Sequence, residues 1–308
     1  MTVKPEFSVI IPIYNEEENI LELYRRLLSV IEKIGTFEII MVDDGSKDRS
    51  WEMIKDLHEK DSRIKGISFS RNFGHHIAIT AGIDYARGSA VILMDGDLQD
   101  PPEEIPKLWK KFNEGYELVY GIRKEKKDSL LKRITSFIFW WLINKLSGID
   151  IPKNQTLLRI FDRKILYVLK GMRERARFIH GMMAWTGFKT SLQEVEHAPR
   201  KHGVSKYNVV KLFRLAFSAI TSFSIVPLRL ATYLGILSAG IGLFYGFYFI
   251  YKKIFLGIPV LGYASIIVAV LFVGGIQLLI LGIIGEYLGR VYQEVQARPI
   301  YVLREHLF

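Results

Sequence analysis

Two aspartates separated by a single glycine, Asp95 and Asp97, follow the apolar run Val91-Ile-Leu-Met and precede Leu98-Gln-Asp-Pro-Pro-Glu. Carboxylates two residues apart just past a buried strand can hold a divalent cation against a pyrophosphate. Hard oxygen ligands suit Mg²⁺ or Mn²⁺, which keep waters and share substrate phosphates. The plainer alternative is a solvated turn in which Asp97 caps the next helix. A second acidic pair, Asp43-Asp44-Gly45-Ser46, has the types to accept hydrogen bonds from a uracil or guanine base and a ribose, or is Asp-Gly turn chemistry alone. Pro12, Tyr14 and Glu16 would form another wall of the same cleft. Arg71-Asn-Phe-Gly74 ends a strand and opens a helix, a place where backbone N–H groups and an arginine meet phosphate. His75 and His76 read as helix-start residues, since nothing else points to a histidine metal site.

The elements around these residues explain why they would converge. Phe7-Ser-Val-Ile-Ile-Pro-Ile, Phe37-Glu-Ile-Ile-Met-Val, Ile64 to Ser70 and Ala90-Val-Ile-Leu-Met are short apolar strands, separated by helical stretches. Ser46 is expected to cap the helix that follows the second strand. Such alternation predicts βαβ units and a largely parallel sheet, whose ligands sit at the carboxyl ends of the strands. The three polar clusters fall at those ends. The fold class is therefore α/β.

The chain of 308 residues has room for about two domains. Leu230 to Tyr251 and Ile254 to Gly285 carry no charge, and at 22 and 32 residues each can hold one membrane-spanning helix. Collagen-like, coiled-coil, disordered and disulfide-framework readings are excluded. With no cysteine there is no disulfide, thiolate metal site or cysteine nucleophile, which suits a reducing compartment. Met1-Thr-Val-Lys-Pro-Glu runs straight into a strand pattern without a signal-peptide pattern. A formal charge of +10 calls for an anionic partner, and beside two spans lipid phosphate is favoured over nucleic acid. Ser129 to Ser147 has helical spacing and adjacent Trp140 and Trp141, which fits either a helix at a membrane interface or a core-packing helix. Ser205 to Phe223 is amphipathic and leads into the first span, as an in-plane helix would. Arginines flank the spans at 229, 290, 298 and 304, against Lys252 and Lys253 between them. That bias places both ends and the α/β domain in the cytoplasm, on the inner (plasma) membrane.

Val9-Ile-Ile-Pro-Ile-Tyr-Asn-Glu-Glu, Val42-Asp-Asp-Gly-Ser, Ser70-Arg-Asn-Phe-Gly and Met94-Asp-Gly-Asp-Leu-Gln-Asp-Pro-Pro-Glu together resemble family 2 glycosyltransferases of the GT-A fold. With the two spans and Gly285-Glu-Tyr-Leu-Gly-Arg-Val-Tyr, the chain is similar to the polyprenyl-phosphate glycosyltransferases: bactoprenol glucosyltransferases, undecaprenyl-phosphate aminoarabinose transferases and dolichyl-phosphate mannose synthases. The resemblance implies a catalytic domain over 1–203, an amphipathic juxtamembrane helix over 204–224, a transmembrane hairpin over 225–288 and a cytoplasmic tail over 289–308. It implies a nucleotide-sugar donor, UDP ahead of GDP, a divalent metal and inversion at the anomeric carbon. Asp95 and Asp97 would be the catalytic pair, with Asp95 facing the donor and Asp97 and Gln99 holding Mg²⁺ or Mn²⁺. Pro12, Tyr14, Glu16, Asp43, Asp44, Arg71 and Gly74 would complete the donor site. Arg123, Lys126 and Arg133, then Arg159, then Arg200, Ser205 and Lys206, would hold the phosphate of a polyprenyl acceptor. A homo-oligomer, a tetramer by resemblance, is a further expectation.

One departure bears on mechanism. Many relatives carry Gly-Asp-Phe-Arg after the interfacial helix, with the aspartate proposed as a base; this chain has Thr156-Leu157-Leu158-Arg159. A sugar hydroxyl needs a general base. A phosphate, with a second pKa of about 6, is already anionic at pH 7. Leu157 therefore disfavours transfer to a sugar hydroxyl and is tolerable for a lipid-phosphate acceptor. The rivals are a mannose synthase using GDP-mannose and a non-catalytic membrane protein that binds nucleotide or lipid.

Overall fold

The computed structural model describes residues 4–123, 151–196, 198, 224–256 and 262–308. The stretches read as amphipathic, 129–147 and 205–223, lie outside the described residues, and so do Lys126, Arg133, Arg200, Ser205 and Lys206. The chain divides into an α/β unit, which includes residues 298–308, and a second unit that holds both long apolar helices.

The α/β unit is built on eight strands: β1 (Phe7–Ile13), β2 (Phe37–Asp43), β3 (Ile64–Phe69), β4 (Ala90–Leu93), β5 (Leu118–Arg123), β6 (Gln155–Asp162), β7 (Thr190–Val195) and β8 (Leu303–Leu307). They form one sheet in the order β7-β5-β6-β4-β1-β2-β3-β8. Four of its seven pairings are parallel, including all those among β1, β2, β3 and β4. Every residue of β1 and β2 is buried, as a strand covered on both faces requires. The expected mostly parallel α/β architecture is what the chain adopts.

Helices cover both faces. On one lie α1 (Ile20–Ile31), α2 (Ser50–Lys60) and α4 (Ile105–Asn113), each burying an apolar stripe. In α1 the stripe recurs every three or four residues, and its Ile20, Leu23, Leu27 and Ile31 join Val9, Ile11, Ile39 and Met41 in one core. Each such side chain, fully buried, contributes about 1.5–3 kcal/mol. On the other face, α3 (His75–Tyr85) lies so close to β1 that Gly82 sits against Ile10. There α5 (Arg163–Gly171) follows β6, and α6 (Ile179–Trp185) presents Met183 to Arg159.

Two sequence expectations need correcting or refining. Ser46 does not cap α2, which starts at Ser50; Asp48 Oδ1 accepts from the Ser50 amide at 3.0 Å instead. Ser46 is too early in the chain, and its hydroxyl accepts from the Asn15 amide at 3.0 Å. Pro12, awkward inside a central strand, is tolerated because of register. Ile10 is the last residue of β1 paired with β4, and its carbonyl still accepts from Met94. Pro12 faces the same side two residues on, past the end of that ladder.

In the second unit, α7 (Val226–Phe255) and α8 (Tyr263–Val295) are long and apolar enough to cross a membrane, with mean hydropathies of 1.6 and 2.8 over their span windows. At 1.5 Å per residue, thirty residues reach about 45 Å, beyond the ~30 Å hydrocarbon core. Their large side chains, such as Phe244, Phe247, Leu271 and Leu278, are exposed, as lipid-facing ones would be.

A Cβ at Gly82 would lie 2.2 Å from Ile10 Cγ2. Gly82→Ala should lower stability by about 1–3 kcal/mol through overpacking, outweighing the helix-propensity gain of about 1 kcal/mol. Thermal unfolding in detergent checks this; a raised midpoint would show that α3 and β1 are not so tightly apposed.

Candidate active site

Beyond the carboxyl ends of β1, β2 and β4 lies a cleft of about 270 Å³. Of the residues singled out from sequence, Pro12, Tyr14, Glu16, Asp44, Gly74, Asp95 and Asp97 line it. Gly96, between the two aspartates, has no room for a side chain: a Cβ there would stand 2.7 Å from Ile13 Cδ1. The acidic loop is thereby laid against the end of β1.

The wall beyond β1 is sewn to the loop beyond β2. Asn15, in the left-handed region at φ 55°, accepts the Lys47 amide on its side-chain oxygen at 2.8 Å, and the Glu16 amide donates to Ser50 Oγ at 2.9 Å. Asp43 and Asp44, adjacent in sequence, part company. Asp43 turns inward and accepts from the Ser46 amide and the Ser68 hydroxyl, each at 3.0 Å. Asp44, 3% exposed, reaches across to the loop after β3 and accepts from Phe73 N at 2.7 Å and Gly74 N at 3.0 Å. Burial pushes the Asp44 carboxyl above its ordinary value, while those two amides pull it back. Asp43 therefore builds the loop, and Asp44 both builds the loop and borders the cleft.

Asp97 accepts from the Gln99 amide at 3.1 Å. Asp95 has His75 Nε2 at 3.6 Å. Desolvation, followed by the negative charges of Asp97 and Asp100, pushes Asp95 up to about 8, against the pull of Arg159 and Arg123. Carboxylates crowded in this way form a place prepared for positive charge. Among the described residues no group of three or more His, Asp or Glu closes on a metal position. The donor set fits Mg²⁺ or Mn²⁺ as one that leaves coordination positions for substrate phosphates and water.

Arg71, Arg123 and Arg159 stand apart. Arg71 is exposed, with its guanidinium over the Phe73 ring at 4.3 Å. Arg123 ends β5 on the surface. Arg159 is wholly buried, donating to the carbonyls of Leu157 and Thr156 and to His180 Nδ1 at 2.8 Å, over the Tyr120 ring. A guanidinium only donates, so His180 Nδ1 is unprotonated. Burial, aided by Arg159, holds that imidazole well below its usual pKa. This arginine fixes the β6 backbone, rather than facing solvent where the acceptor phosphate expected from the resemblance would meet it. Leu157 beside it is 5% exposed.

His75 and Asn72 also line the cleft, which the sequence did not disclose. The signal was there in part: His75 opens α3 directly after Gly74, whose φ of 106° turns the chain toward the cleft. His75 stacks edge-on with His76, and His76 with His180, so the three rings run inward from the cleft to Arg159.

These features define an α/β domain with an acidic, cation-ready cleft beyond the carboxyl ends of its parallel strands. Residues 8–168 match the Glycosyl transferase family 2 profile, and residues 226–291 match the GtrB C-terminal hairpin. An uncharacterized glycosyltransferase of Synechocystis is 45% identical over 97% of this chain and 95% of its own length. A prophage-derived bactoprenol glucosyl transferase of Shigella flexneri is 41% identical over 97% of this chain and 98% of its own. The chain belongs to glycosyltransferase family 2, and the kinship expected with its hairpin-bearing, polyprenyl-phosphate branch is borne out. Among solved structures, glucosyl-3-phosphoglycerate synthase of Mycobacterium tuberculosis, with Mn²⁺, UDP and phosphoglyceric acid, superposes with a TM-score of 0.48 at 17% identity, over 70% of this chain and 76% of that one.

The raised Asp95 makes protons compete with a cation for the acidic loop. Apparent Mn²⁺ affinity should therefore rise with pH, by up to about tenfold per unit, and level off above about pH 8. Calorimetric titration from pH 6 to 9 reads this. A flat profile would mean that Asp95 is ionised throughout.

Proposed function

We propose that this protein transfers a sugar from a nucleotide-diphosphate sugar, a UDP-sugar by preference, to a polyprenyl phosphate such as undecaprenyl phosphate, with inversion. The observation that carries the reading is the acidic loop, Asp95-Gly96-Asp97, pressed against the end of β1 in a cleft walled by Tyr14, Asp44 and His75. The names of the bactoprenol glucosyl transferase relatives support the acceptor class.

An acceptor phosphate oxygen forms a bond to the anomeric carbon as the bond from that carbon to the nucleotide diphosphate breaks. The electron pair leaves on the β-phosphate, so nothing is oxidised or reduced. A divalent cation held by Asp97 and Gln99 with the donor phosphates would neutralise charge on the departing diphosphate. Asp44, Gly74 and the first turn of α3 form the wall that orients the donor. Asp95 and His75 border the sugar. No proton has to leave the nucleophile, because the acceptor phosphate is ionised at pH 7. This agrees with a buried leucine at 157. Catalysis then rests on positioning and preorganised charge.

In this reading Arg123 and the basic residues at 126, 133, 200 and 206, with Ser205, serve the acceptor phosphate. Arg159 serves the backbone. The two apolar helices span the inner membrane. Arginines at 229, 290, 298 and 304 keep the catalytic unit on the cytoplasmic side.

Asp97→Ala should cut metal-dependent transfer by at least about a hundredfold while leaving the circular dichroism and membrane fractionation unchanged. The assay follows label from UDP- and GDP-sugars into the organic phase with undecaprenyl phosphate and Mn²⁺. Near-normal turnover would overturn the metal assignment. Nucleotide binding without transfer from any donor would point to a binding protein.

A further inference from the structure

Residues 298–308, which follow α8 in sequence, come back to the α/β unit and attach to one particular place: the end of β3, where the loop Arg71–Gly74 departs. The Ser70 amide donates to the Val302 carbonyl at 3.0 Å, and the Ser70 carbonyl accepts from Arg304 at 3.2 Å, so both backbone groups of that residue are held. The register between β3 and β8 shifts between Ser68 and Phe69, a bulge that re-aims the strand where the loop begins. Tyr301 stacks on Phe69 with centroids 5.1 Å apart and planes at 19°. Its hydroxyl donates to Asp84 of α3 at 2.9 Å, and Asp84 also takes Arg173.

The contacts continue inward. Phe69 meets Phe73 edge-on at 5.6 Å, and the Phe73 amide is the one that donates to Asp44. Three rings and one hydrogen bond thus connect residue 301 with a carboxylate on the wall of the cleft. The far half of β8 does something else. Glu305 accepts from Trp51 Nε1 at 3.0 Å and pairs with Lys55 at 2.7 Å, and Leu307 covers Gly66. Those contacts fasten the strand to the body of the domain without touching the loop.

We propose that residues 298–308 are a brace for the donor loop. By gripping Phe69 and Ser70, they hold Arg71–Gly74 in the shape that presents Asp44, Gly74 and His75 to a nucleoside diphosphate. Tyr301 and Arg304 are positioning residues, acting on the donor through the loop. The donor half of this statement rests on the proposed function; the brace itself does not.

The test uses the full chain in detergent, with the double variant Tyr301→Ala/Arg304→Ala and, for comparison, Glu305→Gln. Amide exchange over residues 70–74 and calorimetric binding of UDP and of GDP with Mn²⁺ are read on each. The double variant should exchange at Phe73 and Gly74 about tenfold faster and bind the nucleotide about tenfold more weakly. Glu305→Gln should lower the unfolding midpoint and leave both quantities near wild type. Unchanged exchange in a folded double variant overturns the brace, as does an equal loss of nucleotide affinity in Glu305→Gln. Faster exchange with unchanged affinity overturns the link to the donor. If the wild type binds neither nucleotide, the functional reading fails, while exchange still decides the brace. Should the double variant not fold, Arg304→Ala alone, at an exposed side chain, carries the same comparison.

Discussion

Five aspartates, at positions 43, 44, 95, 97 and 100, stand at one edge of the sheet, and the problem of keeping them there shapes everything around them. Taking a carboxylate out of water is unfavourable unless donors are supplied. Four of them are supplied from within: Asp43 by Ser46 and Ser68, Asp44 by the amides of Phe73 and Gly74, Asp97 by the Gln99 amide and Asp100 by the Leu158 amide. Asp95 is not, and its tendency to keep a proton measures what remains unsatisfied. The domain thus stores a local deficit of positive charge at the spot where a cation would relieve it. The hydrogen bonds of Asp43 and Asp44 tie the loops after β2 and β3 to one another, while Asn15 and Glu16 fasten the loop after β1 to them, so the wall of the cleft is in part a by-product of neutralising its own acids.

The parallel centre of the sheet was legible because strands buried on both faces are written as near-continuous apolar runs; Phe7–Ile13 and Phe37–Asp43, interrupted only by Ser8, Glu38 and the closing Asp43, could be little else. Their polar followers then had to fall at one edge. The division of labour between Asp43 and Asp44 was not legible, since strand alternation sends one carboxylate inward and its neighbour across the cleft, and no composition rule says which. His75 looked like an ordinary helix start for a related reason: sequence places it after Gly74 but does not say that α3 opens onto the acidic loop. Leu303–Leu307 carries no comparable signal. Its charged, short pattern is typical of an edge strand, which needs only one covered face and one ladder.

Arg159 shows how a correct residue type can mislead. An acceptor phosphate calls for cations, and an arginine in the middle of β6 qualifies by charge. Folded, it lies at the interior end of a row of three imidazoles and is consumed by carbonyls. Its positive charge still reaches Asp95 through a low-dielectric interior, so it tunes the cleft without being available to a ligand.

The place of β8 in the chain has a temporal consequence. Its partner β3 is complete by Phe69, yet Leu303 follows more than two hundred residues later, after both apolar helices. At about 5–20 residues per second, the ribosome leaves that sheet edge bare for some tens of seconds. An uncovered strand is a template for edge-to-edge pairing with another nascent copy. Closure of the edge therefore follows synthesis of the hairpin, and a product truncated within the hairpin keeps an adhesive flank.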